Sequence, residues 1–373
     1  MIDLGLVVRL IGFMILVPWG LLVVWWYVAL VYYVFFHREA AHNTDDFGIK
    51  ILTTGDDSEV LEKTVSYCER EPLVISRKPV SISRGDLKVL PEGFECAAQF
   101  KGEQLEWARR ELPQPYTLYL DEDSLCNFSE IPAADLVQFQ EVPHSKKVLI
   151  ASIEAHRIGF QIEQAFFEKT GPLYLWGGGF AVSNKLEQVT TWDRPSITED
   201  TAFVFSLKQP YSFKFSKKKI DAQAPLTIKD LIRQRWRWAS GTFDDLKYLD
   251  GHPWRRAWVN FRQLNWGLWP IYSLIPFVLG LPLWISILPL LQSGVWTALG
   301  AKIIGLSWQR TVIAVVLTPV TAYVHSIGCT LALLERQFMF ARTPKSSDTT
   351  SRRMPSDDEP DQAVSTRRNR AAA

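Results

Sequence analysis

Cysteine is scarce in this chain: four in 373 residues, at positions 68, 96, 126 and 329. None forms a Cys-x-x-Cys pair, so neither a disulfide framework nor a thiolate zinc knuckle is on offer, and reduced thiols on the cytosolic side fit the pattern. The six histidines are scattered singly and give no metal-ligand spacing. No excess of one charge is present either. Forty-one basic and 40 acidic side chains leave a net charge of +1, which gives no electrostatic preference for nucleic acid. No internal repeat is found.

What the chain does have is tryptophan and long apolar runs. Fifteen tryptophans and 47% hydrophobic residues crowd into the two ends, leaving ordinary globular composition in between. Leu4 to Phe36 is apolar apart from Arg9, and about 20 such residues suffice to span a bilayer. The run is too long for a signal-peptide core. His37-Arg38-Glu39 follows, so the positive-inside tendency places the N-terminus outside and the next domain in the cytosol. After Trp254 the chain turns apolar again. Leu264 to Leu288 is one candidate span, interrupted by Pro270, Pro276 and Pro282. Trp308 to Leu334 is another, with His325 inside it, and Trp296 to Ile304 reads as a short interfacial or re-entrant piece. Arg336 and Arg342 at the exit keep the tail cytosolic, and the polar stretch from Thr343 reads as disordered. The expected layout is an anchor over 1–38, a cytosolic catalytic domain over 45–251, interfacial and transmembrane helices over 252–342, and a polar tail over 343–373. That makes an integral, multi-pass membrane protein.

Between the apolar ends, strands and helices alternate. GIKILTT, PLVIS, DLKVLP, PYTLYL, LVQFQEV and YSFKF read as strands. LYLWGGGFAVS reads as two more, meeting at Gly177-Gly178-Gly179. Helices are expected over GDDSEVLEKTVSYCE, where Asp56 and Glu59 stand at capping-box spacing, over FKGEQLEWARREL, over IEAHRIGFQIEQAFFEKTG and over PLTIKDLIRQRWRW. The alternation predicts an α/β fold, a doubly wound and mostly parallel sheet with helices on both faces. Ligands in such sheets sit beyond the carboxyl ends of the strands, where Thr54, Asp56 and Asp121-Glu122-Asp123 fall.

Four features carry chemistry. Asp121 and Asp123 follow a buried strand as Asp-x-Asp, an oxygen donor set that suits Mg²⁺ or Mn²⁺ together with substrate phosphates; a solvated acidic turn has the same sequence. The three glycines allow close approach of backbone to a ligand, or simply a tight turn. Thr198-Glu199-Asp200 offers a carboxylate that can take a proton from an incoming hydroxyl. Finally Gln234, Arg237 and Trp238 sit at i, i+3 and i+4 of one helix and share a face. An amide, a guanidinium fork and a flat ring there suit a sugar diphosphate, although an interfacial helix places Trp and Arg in the same way.

In this order the motifs resemble those of GT-A glycosyltransferases of family 2, in the membrane-embedded branch with cellulose and hyaluronan synthases, whose pattern is D…DxD…(T/E)ED…QxxRW. The layout is most similar to the egghead-type β-1,4-mannosyltransferases. The resemblance covers about Gly48 to Leu249. It implies a metal-dependent inverting transfer from a UDP- or GDP-sugar to a hydroxyl of a lipid-linked or membrane-proximal glycan. Asp200 would be the general base, supported by Glu199. Thr54, Asp56, Lys101, Asp121, Gln234 and Arg237 would bind the donor, and Asp123 with Asp121 the Mg²⁺ or Mn²⁺. Gly178, Gly179 and Trp238 would border the acceptor. The family's aspartate after the second strand has no counterpart, the first acid being Asp86, so the base of the nucleotide stays open. A processive polysaccharide synthase is the alternative reading, and a non-catalytic membrane scaffold with a degenerate transferase domain a third; filled DxD, TED and QxxRW positions argue against the last.

Overall fold

Three of the most apolar short segments become the strands at the heart of the sheet, because strands buried on both faces carry near-continuous apolar runs. A computed structural model describes residues 4–335 except 209, 250–252, 273, 279 and 281; the tail from Thr343, with Arg336 and Arg342, lies outside the described residues. The strands are β1 (Asn43–Thr44), β2 (Gly48–Thr53), β3 (Leu73–Ser76), β4 (Asp86–Val89), β5 (Tyr116–Asp121), β6 (Ile131–Pro132), β7 (Leu136–His144), β8 (Gly179–Ser183) and β9 (Phe213–Gln223). The helices are α1 (Leu4–Val31), α2 (Ser58–Tyr67), α3 (Lys101–Glu111), α4 (Val148–Gly159), α5 (Glu163–Phe166), α6 (Asn184–Val189) and α7 (Glu199–Ser206). They continue with α8 (Ile228–Asp245), α9 (Pro253–Tyr272), α10 (Leu274–Val278), α11 (Leu283–Ile303), α12 (Trp308–Thr321) and α13 (Tyr323–Leu334).

Seven strands form one sheet in the order β4-β3-β2-β5-β8-β7-β9. Only β8 is antiparallel to its neighbours; the other pairings are parallel. The mostly parallel α/β sheet expected from the alternation is therefore present. From β2 the chain moves outward to β3 and β4, then returns to pair β5 on the other side of β2. That reversal is the switch point where open α/β sheets bind ligands. Apolar side chains fill both faces: Leu105, Tyr119, Phe180, Trp192 and Phe203 on one, Ile49, Leu61, Leu118 and Phe139 on the other. Lys50 is fully buried in β2, where its ammonium donates to the carbonyls of Leu112 at 2.6 Å and Ala108 at 3.3 Å. It thereby closes the C-terminal end of α3, the negative end of the helix dipole.

Several boundaries differ from the sequence expectation. LYLWGGGFAVS supplies one strand, β8, because the segment before it uses side chains for pairing; the Trp176 amide donates to Gln138 Oε1 at 2.6 Å. YSFKF is only the beginning of β9, which runs on through the polar Ser-Lys-Lys-Lys tract along β7 with a bulge at Phe139/Gln140. An edge strand tolerates such lysines. The cap of α2 is Asp57, whose carboxylate accepts from the Val60 amide at 3.1 Å, while Asp56 turns to Lys78 at 2.5 Å. The helix expected over 153–171 begins earlier, at Val148, and breaks at Gly159. There α4 crosses α11 at backbone contact: a Cβ on Gly159 would strike the Trp296 carbonyl, and one on Gly300 the Ala155 carbonyl.

Trp296 to Ile304 is no separate short segment but falls largely in the last turns of α11. Leu264 to Leu288 is not one continuous helix, since α10 ends at Val278, Gly280 lies in a turn, and Pro282 is the N-cap of α11. Proline has no amide to continue the ladder. Among the described residues two helical stretches are long and apolar enough to cross a membrane, Trp19–Phe36 and Trp308–Leu334.

Candidate active site

A cavity of about 570 Å³ opens beyond the carboxyl ends of β2 and β5. Thr54, Asp56, Lys101, Asp121, Asp123, Gly178, Glu199, Asp200, Gln234, Arg237 and Trp238 all line it, although they come from segments far apart in the chain. Gly179 does not line it; it starts β8 against Leu120 and Ile220, whose side chains would meet its Cβ. None of the three glycines adopts a positive φ, so their use is close approach. At Gly177 a Cβ would lie 2.8 Å from Asp200 Oδ2, which packs the carboxylate against bare backbone.

Asp200 sits in the first turn of α7, after the N-cap Thr198, and its Oδ1 accepts from the Thr201 amide at 2.7 Å. Burial, followed by the charge of Glu199, pushes its carboxyl up to about 7. Burial also raises Glu199. Like charges on adjacent residues at one site cannot both ionise freely. Opposing that rise is Lys101, whose ammonium lies 2.6 Å from Asp121 and donates to the Gly177 carbonyl at 2.5 Å. One lysine thus ties the DxD strand to the glycine loop beside Asp200. Asp123 is buried and accepts from the Gln223 amide at 3.3 Å. Glu122, between the two aspartates, accepts from the Thr53 hydroxyl on the neighbouring strand.

The QRWRW helix contributes two faces. Gln234, Arg237 and Trp238 border the cavity as their spacing requires, while Arg235 turns inward and is 2% exposed. Arg235 pairs with Glu154 and donates to Gln234 Oε1 at 2.5 Å and His325 Nδ1 at 3.3 Å. Glu154 also holds Arg157 at 2.7 Å, and Arg157 reaches Glu141 at 3.1 Å. The Arg157 guanidinium lies 4.6 Å from the Trp176 ring centroid and 5.4 Å from that of Trp238. Trp176, Arg157, Glu141 and Glu154 all reach the cavity, and sequence spacing singled out none of them. A tryptophan immediately before the glycine triplet was the one available signal. Asp86, in contrast, is exposed in β4 and does not line the cavity; Arg77, directly after β3, does.

Residues 117–327, more than half of the chain, match the sequence profile of glycosyl transferase family group 2. The chain belongs to that family. This glycosyltransferase is 30% identical over 115 residues to the β-1,4-mannosyltransferase bre-3 of Caenorhabditis elegans. That match covers 29% of this chain and 25% of the relative, so the chain spans about a quarter of that relative's length. Among solved structures, the transferase resembles the mannosyltransferase PcManGT from Pyrobaculum calidifontis, solved with GDP-Man and Mn²⁺. The TM-score is 0.53 at 12% identity, over 88% of this chain and 99% of that one. At that identity the likeness concerns the fold, a GT-A-like α/β sheet.

Proposed function

We propose that the protein transfers mannose from GDP-mannose to a hydroxyl of a membrane-proximal, lipid-linked glycan, with inversion at the anomeric carbon. The observation that carries this reading is Asp200: a half-buried carboxylate that lines the cavity together with the DxD strand and the QRWRW face. Asp200 takes the proton from the acceptor hydroxyl as it attacks the anomeric carbon from the side opposite the diphosphate. A base whose pKa lies near working pH serves that step best. Gln234 and Arg237 bind the departing diphosphate, the guanidinium through paired charged hydrogen bonds. Trp176 and Trp238 wall the acceptor, since sugar C–H faces pack on aromatic rings. Mannose is favoured because the named relative and the solved neighbour are both mannosyltransferases.

Among the described residues no group of three or more His, Cys, Asp or Glu side chains is arranged to hold a metal. A resident cation cage is therefore not offered. The donor set nevertheless fits Mg²⁺ or Mn²⁺, which binds through one or two carboxylates and completes its shell with substrate phosphates and water. Asp121, at the end of β5, and Asp123, in the turn that follows, line the cavity and would hold it. Such an ion supplies charge compensation to the diphosphate. Two long apolar stretches, Trp19–Phe36 and Trp308–Leu334, support membrane embedding, and the basic Arg38 after the first favours the sheet domain on the cytosolic side. They also favour the division into anchor, catalytic domain and C-terminal helices.

The test is nucleotide release by detergent-purified protein with Mn²⁺ or Mg²⁺, a panel of GDP- and UDP-sugars, and glycolipid acceptors. GDP-mannose is expected to support acceptor-dependent release that Asp200→Asn abolishes. Turnover of UDP-sugars alone would overturn the mannose assignment, and silence across the panel would overturn the transferase role.

A further inference from the structure

Asp245, the last residue of α8, is 1% exposed, yet it belongs to none of the motifs above. Its Oδ2 accepts two hydroxyl hydrogen bonds, from Ser196 Oγ and Thr198 Oγ1, both at 2.7 Å. Oδ1 is buried and has no hydrogen-bond partner among the described residues. Thr198 opens the Thr-Glu-Asp motif as the N-cap of α7, and its amide donates to Ser196 Oγ at 2.9 Å. One turn earlier on α8, Gly241 has no room for a Cβ, which would collide with Thr198 Oγ1 and Cγ2. The Thr-Glu-Asp loop is thus clasped to the helix that carries Gln234, Arg237 and Trp238, at backbone distance and by one carboxyl group.

We infer that Asp245 is a positioning residue for the transfer step, holding the loop that carries Asp200 against the diphosphate- and acceptor-binding helix. This rests on the reading of Asp200 as base. The chain reaches Asp200 only two residues after Thr198, so slack at Thr198 becomes displacement of the base. A misplacement of about 1 Å can cost about 100-fold in rate. Of the donor contacts proposed above, Thr54, Asp56, Lys101 and Asp121 lie after β2, on α3 and in β5, and Gln234 and Arg237 stand on α8, which the buried Arg235–Glu154 pair anchors independently of Asp245. Loss of the clasp therefore lowers turnover and spares donor affinity.

The test uses the full-length protein in detergent. Asp245→Ala is expected to lower kcat about 10- to 100-fold, with the donor KM unchanged within about twofold (an effect on positioning rather than uniform binding). Rates are taken per nucleotide-binding molecule, so that misfolded protein does not count. Burial pushes the Asp245 carboxyl up to about 7, so Asp245→Asn imitates the neutral acid, keeps an acceptor oxygen for both hydroxyls and should restore most of kcat. Should Asp245→Ala not fold, Thr198→Val removes one clasp bond from the other side and is expected to reproduce the kcat loss. Wild-type kcat per binding molecule in Asp245→Ala, or equal losses in the Ala and Asn variants, would overturn the inference. Activity surviving in Asp200→Asn would instead overturn the reading on which it rests.

Discussion

The ammonium of Lys101 stands 2.6 Å from the carboxylate of Asp121, so the first aspartate of the DxD pair already has a cation beside it. A divalent ion arriving there competes with the lysine. Lys101→Met should therefore tighten Mn²⁺ binding to donor-free protein several-fold, as read by electron paramagnetic resonance of the free ion. Turnover should fall, because the lysine also holds the Gly177 carbonyl at the edge of the site. Weaker Mn²⁺ binding in the variant would remove Asp121 from the ligand set.

The pH dependence of kcat follows from Asp200. Its carboxyl is raised to about 7, first by burial and then by Glu199. The base works only when ionised, so kcat should fall as pH drops through neutrality and reach a plateau above it. Glu199→Gln removes the neighbouring negative charge and should move the acid limb to lower pH. A flat profile between about pH 5 and 8 in the wild type, a window wider than such a group's titration, would rule out Asp200 as the titrating base.

Trp176 and Trp238 flank the Arg157 guanidinium at the cavity. Replacing either ring by alanine should raise the acceptor KM by about two- to tenfold, on the scale of the roughly 0.5–1.5 kcal/mol of an aromatic contact. Donor hydrolysis in the absence of acceptor should stay near the wild-type rate. Equal effects on acceptor transfer and donor hydrolysis would place the rings outside the acceptor site.

Arg235 is buried against Glu154. Arg235→Met takes one of two cations from Glu154, leaving Arg157 as its partner, and should destabilise the protein by about 1–3 kcal/mol. The companion change Glu154→Gln should recover part of that, because the charge is then gone. Thermal unfolding in one detergent would read both. Unchanged stability in Arg235→Met would mean that water reaches the pair.

Much of the sheet was legible because its strands report their own burial. GIKILTT, PLVIS and PYTLYL are apolar on both faces, and they became β2, β3 and β5 within a residue or two. Elements that satisfy themselves through distant partners were not legible. β9 hid behind exposed lysines, and the segment before β8 satisfies a backbone amide with the side chain of Gln138, 38 residues away. The proline-broken region after Trp254 showed its apolar character plainly, but its helix boundaries only in three dimensions.

The site divides along the same line. Residue types at short spacing singled out Asp121, Asp123, Asp200, Gln234, Arg237 and Trp238, which all line one cavity, since a strand end and a helix face follow from local periodicity alone. Local periodicity does not say which side of a helix meets a cavity and which a buried carboxylate, so Arg235 and Arg237 looked alike until Glu154 claimed one of them. Nor does it bring Lys101, Gly177 and Asp200 into contact, or Asp245 to Thr198. Those contacts depend on sheet order and on glycines, Gly177 and Gly241, that let side chains lie against bare backbone, and only the tertiary packing decided them.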